Sequence, residues 1–480
     1  MVKNASAGEK AGWFNGRTPL FSQKDLLRLV GPLLIEQFLA VTVGMADTMM
    51  VSRCGEAAIS GVSLVDMINN LIIVLFAALA TGGAVVVSQY LGAKEQEKAN
   101  ASAGQLILLS AVLGAVVAAL CILFARPMIS ACYGSIDADV LDAGVLYLKI
   151  TALSYPFLAL YNAGAALFRS MGSSKISMQI SVLMNIINIV GNAVCIFGLK
   201  MGVDGVAWPS VVSRVIAAVL ILGRCYQKGH ALTVPKTVKL DTGMAKRILG
   251  IGVPSAFENS LFEAGRIVVV SMISTFGTVQ IAANAVANNL DGVGCIPGKA
   301  IGLAMITVVG RCIGAGDNEQ AVYYTKKLLG WAYLVMGVLN GLILIFVRPL
   351  VGIYELSGET MELSIILACI HAENHDQRIF SCQYLLLAPG RQLQNCQDSL
   401  GSFGITHLTE YRILHDLTGI FFCLRHQLSI PGNCLGDKHL GNPAFRCFQK
   451  HFPALCHKKS LLSSGFCLLV QLHDIFYFCI

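Results

Sequence analysis

Two stretches of the chain decide the fold, because the second repeats the pattern of the first. Residues 32–55 read PLLIEQFLAVTVGMADTMMVSRCG, and residues 254–277 read PSAFENSLFEAGRIVVVSMISTFG. A shift of 222 residues superposes the first proline, the glutamate one turn later and the final glycine of the two stretches. The same shift continues without a gap to Arg126-Pro127 and Arg348-Pro349, so the chain contains an internal repeat.

The composition places this repeat in a membrane. Hydrophobic residues make up 55% of the 480 residues, charged residues only 13%, and the mean hydropathy is +0.66. Soluble domains carry about 25% charged residues, which excludes a soluble enzyme and a disordered scaffold. The net charge of +7 is spread over short segments between apolar runs and forms no basic stripe, so no nucleic-acid partner is expected.

The apolar runs are long enough to cross a bilayer, for which about 20 residues are needed. Spans are predicted near residues 26–51, 58–90, 102–125, 143–168, 176–199, 205–226, 246–274, 279–310, 322–347 and 351–370. Two copies whose starts lie six spans apart have the same orientation in the membrane. The predicted fold class is therefore an all-α integral membrane protein with two six-helix lobes related by a parallel internal repeat, the second lobe incomplete.

Lysine and arginine concentrate in every second loop. This bias predicts that these loops and the N-terminus lie in the cytoplasm, in a multi-pass protein of the inner (plasma) membrane surrounded by the lipid bilayer. The predicted segments are a cytoplasmic N-terminal segment (1–21), an N-lobe (22–226), a cytoplasmic linker (227–243), a partial C-lobe (244–370) and a Cys/His-rich tail (371–480).

Carboxylates in the first span of each copy are the leading candidates for an ion site. A charge at mid-membrane costs roughly 2.5–3.5 kcal/mol and usually marks an ion or substrate route. Glu36 follows Pro32 by one turn, and a proline frees a backbone carbonyl beside which a carboxylate can bind a cation or a proton. Asp47 shares a helix face with Glu36, although one of the two acids could instead lie at the headgroup level.

The second copy does not place its acids symmetrically. Glu258 matches the glutamate of the first copy, Glu263 is added, and the position of Asp47 holds a valine. One lobe could then bind the coupling ion while the other contacts the substrate. Alternatively, Glu263 could form a structural pair with Arg266, which lies three residues later.

Two polar clusters complete the set of candidates. In the second span of each copy an acid stands among amides, namely Asp66 in the first copy and Asp291 near Asn288 in the second. The fifth span carries three amides within about 60° of one another on the helix: Asn185, Asn188 and Asn192. Amides facing lipid would be costly, so these groups either solvate an ion or bond neighbouring helices.

The sequence also limits the source of energy. The phosphate-binding motif G-x-x-x-x-G-K-[ST] is absent, so a gradient of Na⁺ or H⁺, without a cofactor, is expected to drive transport. A membrane-embedded enzyme would need a His or Cys constellation inside the spans. The only histidine before residue 371 is His230 in the linker, so no enzymatic activity is expected.

Several segments resemble the multidrug and toxic compound extrusion (MATE) transporters. Besides residues 32–55, they are VVVSQYLGAKEQEKA (85–99), VVGRCIGAGDNEQA (308–321), ALFRSMGSSKISM (166–178), NIINIVGNAVCIFGL (185–199) and GVDGVAWPSVVSR (202–214). The resemblance covers about residues 22–370. It implies twelve helices in two six-helix lobes that form a V, and export of bulky organic cations in exchange for Na⁺ or H⁺. The protein is expected to be a monomer.

The resemblance also implies roles for single residues. The acid of the family's first helix falls on Asp47, and the acid of its seventh helix falls on Glu258 or Glu263. Some members carry an aspartate in the fifth helix where this chain has Asn192, which leaves the ion site of the N-lobe and the choice of ion open.

The last 110 residues differ from the rest of the chain. Residues 371–480 contain 9 of the 10 histidines and 8 of the 16 cysteines, no methionine and a single valine. The pattern of residues 155–172 is not echoed at 377–394, where the repeat predicts it. We therefore expect an out-of-frame or artefactual translation beginning near His371. A metal-binding tail is the alternative, but the segment lacks a C-x-x-C pair.

The predicted function is an antiporter, coupled to H⁺ or Na⁺, that exports organic cations or drugs by alternating access. The aberrant C-terminus is expected to impair the activity of this chain. A flippase for lipid-linked sugars or polysaccharide is an alternative, but it would be expected to line its cavity with basic residues. A non-functional transporter remnant is the other alternative.

Overall fold

The structure, a computed structural model, describes residues 19–51, 56–133, 138–227, 231–235, 240–274, 278–352, 354 and 358–369. These residues are almost entirely helical, and no strand occurs among them. The all-α fold class predicted from the sequence is therefore confirmed. The predicted tail, 371–480, lies outside the described residues.

The described part of the first lobe contains eight α-helices. Its helices are α1 (Gln23–Val51), α2 (Glu56–Gly92), α3 (Gln96–Leu123), α4 (Ala125–Tyr133), α5 (Ala138–Ala152), α6 (Tyr155–Ser170), α7 (Ser174–Ala193) and α8 (Asp204–Cys225). A π-helical turn, Val194–Gly198, extends α7. Helices α5 and α6 meet at an angle of 48°, so the segment predicted as a span near 143–168 consists of two helices joined by a bend. Pro156, in the first turn of α6, lacks the amide hydrogen that a continuous helix would need.

The second lobe repeats the helices of the first. They are α9 (Thr242–Ser274), α10 (Thr278–Gly294), α11 (Ile296–Gly314), α12 (Asn318–Ile345), α13 (Val347–Gly352) and a helical stretch over 358–369. Shifted by 222 residues, α3 coincides with α12 at both ends, and α2 covers α10 and α11 together. The internal repeat is therefore confirmed at the level of helices.

The second copy of α2 is broken where the first copy is continuous. Helix α10 ends at Gly294 and α11 begins at Ile296, with Pro297 in its first turn. The matching residue in α2 is Leu75, which leaves that helix uninterrupted. Proline removes a backbone donor and its ring collides with the preceding turn. The segment predicted as a span near 279–310 therefore consists of two consecutive helices.

Seven of the described helices are long and apolar enough to cross a membrane, and the count is eight if the bent α5–α6 pair forms one span. The seven are α1, α2, α3, α7 and α8 in the first lobe and α11 and α12 in the second. The described helices thus have the length and composition of a multi-pass membrane protein.

The two lobes pack closely at one end of the bundle. We call it the linker end, because α8 ends and α9 begins there. Helix α2 packs against α9 and α11. Gly314 of α11 lies so close to the carbonyl of Gln89 that a Cβ atom would overlap it, and Gly310 is similarly close to Ser88. Small residues permit such close packing of membrane helices.

Candidate ion and substrate sites

Glu258 is a buried carboxylate that stands alone in the described part of the chain. It lies in α9, one turn after Pro254, and only 6% of its surface is exposed. Neither of its side-chain oxygens has a hydrogen-bond partner among the described residues. Burial of an unpaired carboxylate is energetically costly.

Glu36, at the matching position of the first lobe, has close partners. Arg169 Nη1 on α6 lies 3.4 Å from its Oε1, and Ser177 Oγ on α7 donates to its Oε2 over 3.1 Å. Ser174 Oγ, also on α7, donates to the carbonyl of Leu29 over 2.7 Å. In this conformation the acid predicted to bind an ion therefore joins α1 to α6 and α7.

Asp66 lies at the edge of a hydrogen-bonded network within the first lobe. Its Oδ1 accepts from Asn69 Nδ2 over 3.2 Å and from the Tyr147 hydroxyl over 3.3 Å. The Tyr155 hydroxyl donates to Asn69 Oδ1 over 2.6 Å. Both tyrosines are buried, whereas Asp66 is exposed. The network joins α2 to α5 and α6 and holds the carboxylate in one orientation.

The amides of α7 connect that helix to α8. Asn188 Nδ2 donates to Ser210 Oγ over 2.9 Å, and Asn192 Nδ2 donates to Asn188 Oδ1 over 3.3 Å. Asn188 and Asn192 are buried, and Asn185 is half-buried one turn earlier. This geometry fits the alternative in which the amides bond neighbouring helices.

The remaining predicted residues are less closely defined. Asp47 lies in α1, within 45–49, whose side chains are outside the described part, so its role stays a prediction. Glu263 is half-buried and lies about 140° around α9 from Glu258. The side chain of Arg266, its alternative partner, is also outside the described part. Two candidates are half-buried in α10: Asn288 and Asp291.

The sequence analysis identified these acids but missed the residues that bond to them. The span predicted near 143–168 ends before Arg169, whereas α6 continues to Ser170 and carries the guanidinium toward Glu36. The segment 166–178 contains both Arg169 and Ser177, and its polar residues between two spans were the available signal. Tyr147 and Tyr155 stand on either side of the α5–α6 bend, which hydropathy alone does not locate.

Polar side chains also join the two lobes at the linker end. Arg311 of α11 donates through Nε and Nη2 to the carbonyl of Ser170, over 3.0 and 2.6 Å. Thr307 Oγ1 donates to the carbonyl of Arg169 over 3.0 Å. Arg247 Nη2 of α9 donates to Gln89 Oε1 over 2.8 Å. These bonds and the glycine contacts together close this end.

Comparison with known proteins places these features in a family. The family model described as MatE matches residues 32–194 and 254–370, two segments that begin at the prolines opening the two copies. A relative from Bacillus subtilis (strain 168), "Uncharacterized transporter YisQ", is 30% identical over 72% of this chain and 76% of its own length. "Probable multidrug resistance protein NorM" from Thermotoga maritima is 25% identical over 71% of this chain and 74% of its own.

Solved structures share the fold at lower identity. "Crystal structure of MATE in the bent conformation" matches with a TM-score of 0.66 and 18% identity, over 85% of this chain and 95% of that one. "Outward-facing conformation of a multidrug resistance MATE family transporter of the MOP superfamily" matches with a TM-score of 0.65 and 18% identity, over 85% and 96%. Since the two segments matched by the family model make up more than half of the sequence, the protein belongs to the MatE family of multidrug and toxic compound extrusion transporters.

Proposed function

We propose that the protein is an antiporter, coupled to H⁺ or Na⁺, that exports organic cations or drugs by alternating access. The observation that carries the proposal is the unpaired, buried carboxylate of Glu258. Its repeat partner Glu36 lies beside Arg169, so the two lobes are not equivalent in charge. The printed description of the NorM relative as a probable multidrug resistance protein supports a drug-like substrate.

The chemistry of exchange follows from the cost of the buried charge. A proton or Na⁺ at Glu258 neutralises the carboxylate and allows α9 to remain packed. Loss of the ion leaves a charge that favours a conformation in which the carboxylate reaches water or an organic cation. Because each ligand favours a different conformation, the two exchange across the membrane. The bonds at the linker end must break for the lobes to open on that side.

A binding experiment tests coupling without requiring turnover. Addition of ethidium to the purified full chain in weakly buffered detergent solution should release protons, or its binding should be competed by Na⁺. Glu258→Gln should remove both effects, because the amide can neither release a proton nor attract a cation. Glu95→Gln is the matched control, since Glu95 is exposed in the loop after α2. Coupling that persists in Glu258→Gln would contradict the proposal.

We further propose that residues 371–480 do not complete the second lobe and that this impairs transport. The second segment matched by the family model ends at residue 370, one residue before the Cys- and His-rich stretch begins. Sequencing of the coding DNA around residue 371 should show a one-base shift that restores the pattern of residues 155–172. Full drug efflux from this chain in an efflux-deficient host would contradict the impairment.

A further inference from the structure

We propose that residues 20–21, which lead into α1, form a latch that holds the two lobes together at the linker end. The segment precedes the first helix of the first lobe but bonds to Gln320 and Tyr324 on α12 of the second lobe. The inference rests on the alternating access of the proposed function, because a latch between the lobes acts only if they separate. It identifies the contact that must release before the linker end opens.

The hydroxyl of Tyr324 is the main contact of the latch. It accepts a hydrogen bond from the backbone N–H of Phe21 over 3.0 Å and donates one to the backbone carbonyl of the same residue over 2.7 Å. The rings of Phe21 and Tyr324 also meet edge to face, with their centroids 5.7 Å apart. Tyr324 is only 1% exposed. One buried side chain of the second lobe thus binds both backbone polar groups of Phe21.

The amide of Gln320 forms the second contact of the latch. Its Oε1 accepts a hydrogen bond from the backbone N–H of Leu20 over 2.8 Å. Its Nε2 donates to Oδ2 of Asp317, the N-cap residue of α12, over 3.1 Å. The carboxylate therefore orients the amide with its oxygen toward Leu20, so α12 holds both contacts of the latch in place.

The segment that leads into α9 is bound in an equivalent way, with the lobes exchanged. Gln96 of α3 donates to the backbone carbonyl of Ala231. Asn100 Oδ1, also on α3, accepts from the backbone N–H of Thr233 over 2.9 Å, and Leu232 between them is buried. Helices α3 and α12 are equivalent under the shift of 222 residues. The segment before the first helix of each lobe therefore lies against the equivalent helix of the other lobe.

The first half of α1 is held by both lobes. Four of its apolar residues are buried in one cluster with residues of α11 and α12: Leu26, Leu29, Val30 and Leu33. Glu36, farther along the same helix, bonds to Arg169 and Ser177 of the first lobe. The lobes can therefore separate at the linker end only if α1 leaves one of them.

The latch side of α1 is the side that releases. Rupture of the largely buried pair of Glu36 and Arg169 would leave two charges uncompensated, which is costly. The hydrogen bonds of the latch join neutral groups, and Leu20 is 41% exposed. Water can replace such bonds at little cost. The helix therefore stays with the first lobe, and residues 20–21 leave α12 when the linker end opens.

Hydrogen–deuterium exchange of the purified full chain in detergent tests the latch with Tyr324→Phe. This variant keeps the ring and loses both hydrogen bonds to Phe21. Exchange in residues 82–92 and 171–174, which lie at the other contacts between the lobes, should rise about threefold, because the closed conformation loses these bonds. A rise confined to residues 20–26 would overturn the inference, since the segment would then be held without holding the lobes.

Controls separate release of the latch from a general loss of stability. Tyr323→Phe removes the neighbouring hydroxyl, which accepts from Lys327 Nζ on the same helix over 3.4 Å, and should leave exchange unchanged. Exchange in residues 147–156, within the first lobe, should stay constant in every variant, and a uniform rise there would contradict the latch. If Tyr324→Phe does not fold, Gln320→Met replaces it, and the inference fails unless exchange in residues 82–92 rises about twofold.

The two proposals fail in different experiments. Loss of ion coupling in Glu258→Gln, together with unchanged exchange between the lobes in Tyr324→Phe, would remove the latch and leave the proposed antiport standing. Ion coupling that survives Glu258→Gln would remove the proposed coupling site, whatever the result at Tyr324.

Discussion

Glu36 and Glu258 occupy the same position in the two copies of the repeat and have opposite surroundings. Glu36 lies beside a guanidinium and a hydroxyl from two neighbouring helices, whereas Glu258 has no partner among the described residues. Breaking a buried pair leaves an uncompensated charge, while neutralising a lone buried acid removes one. The same substitution should therefore have opposite effects at the two positions.

Glu36→Gln should lower the free energy of unfolding by about 3 kcal/mol, because it leaves the largely buried Arg169 without its counter-charge. Glu258→Gln should leave the stability unchanged or raise it. Thermal unfolding of the purified full chain and both variants in the same detergent measures the difference. Similar losses in the two variants would show that their surroundings do not differ as described.

The sequence predicted the candidate residues but not the groups that surround them. The repeat register identified Glu36 and Glu258 as a pair, but it cannot reveal that only one of them has a basic partner. That difference depends on where Arg169 and Ser177 lie in space, on helices more than 130 residues away along the chain. The Asn188–Ser210 bond likewise depends on the packing of α7 against α8.

At the scale of helices, glycine decides how closely α2 and α11 approach. Gly314 faces the backbone of Gln89 with no room for a side chain, whereas Gly302, on the same helix, has no neighbouring atom within 4 Å of a built Cβ. An added methyl group at Gly314 must push the two lobes apart at the linker end, while one at Gly302 meets open space.

Gly314→Ala should therefore raise hydrogen–deuterium exchange in the last turns of α2 and lower the unfolding temperature. Gly302→Ala, the matched control on α11, should change neither, apart from a small gain in helix propensity. Mass spectrometry of peptides covering residues 82–92 provides the measurement. Equal exchange in the two variants would mean that the glycine contact does not set the distance between the lobes.

The approximate positions of the long helices were predictable from the apolar runs, but the polar first turns of α3 and α12 lie outside the predicted spans 102–125 and 322–347. The break before α11 was not predicted, although Pro297 is visible in the sequence. An apolar run shows how long a membrane-crossing segment is, but it does not show whether the helix is continuous. The 48° angle between α5 and α6 depends on contacts across the lobe, and the hydropathy of the sequence does not reveal it.

For the whole molecule, the closed linker end depends on a few side-chain donors of the second lobe. Arg311 donates two hydrogen bonds to the carbonyl of Ser170 at the end of α6. Arg247 donates a hydrogen bond to the side chain of Gln89 near the end of α2. Because the acceptors belong to the first lobe, these bonds exist only while the lobes are together. Removal of these hydrogen bonds should favour the conformation in which the lobes are apart at the linker end.

Arg311→Met should increase hydrogen–deuterium exchange in the α6–α7 turn, residues 171–174, because Ser170 loses its donor. Arg224→Met is the control, since Arg224 is an exposed base in the last turn of α8, near the same end. Unchanged exchange in Arg311→Met would show that the bond does not hold the lobes together.

The orientation predicted from the loop charges, with the N-terminus and the linker in the cytoplasm, is also testable for the whole molecule. An impermeant protease should cleave the linker, residues 227–243, in inside-out vesicles and leave it intact in right-side-out vesicles. The reverse pattern would contradict the orientation.

The sequence analysis predicts a monomer. A mass measurement of the detergent-solubilised protein should give the monomer mass, and a stable dimer would contradict this prediction.

Helix α6 begins at the bend beside Asp66 and ends at the carbonyls that Thr307 and Arg311 hold. Tyr155, its first residue, bonds the amide that orients the Asp66 carboxylate. The first residue of α6 is therefore bonded within the first lobe, and its last residues are bonded to the second lobe. A rigid shift of this helix would disturb the bonds at both of its ends.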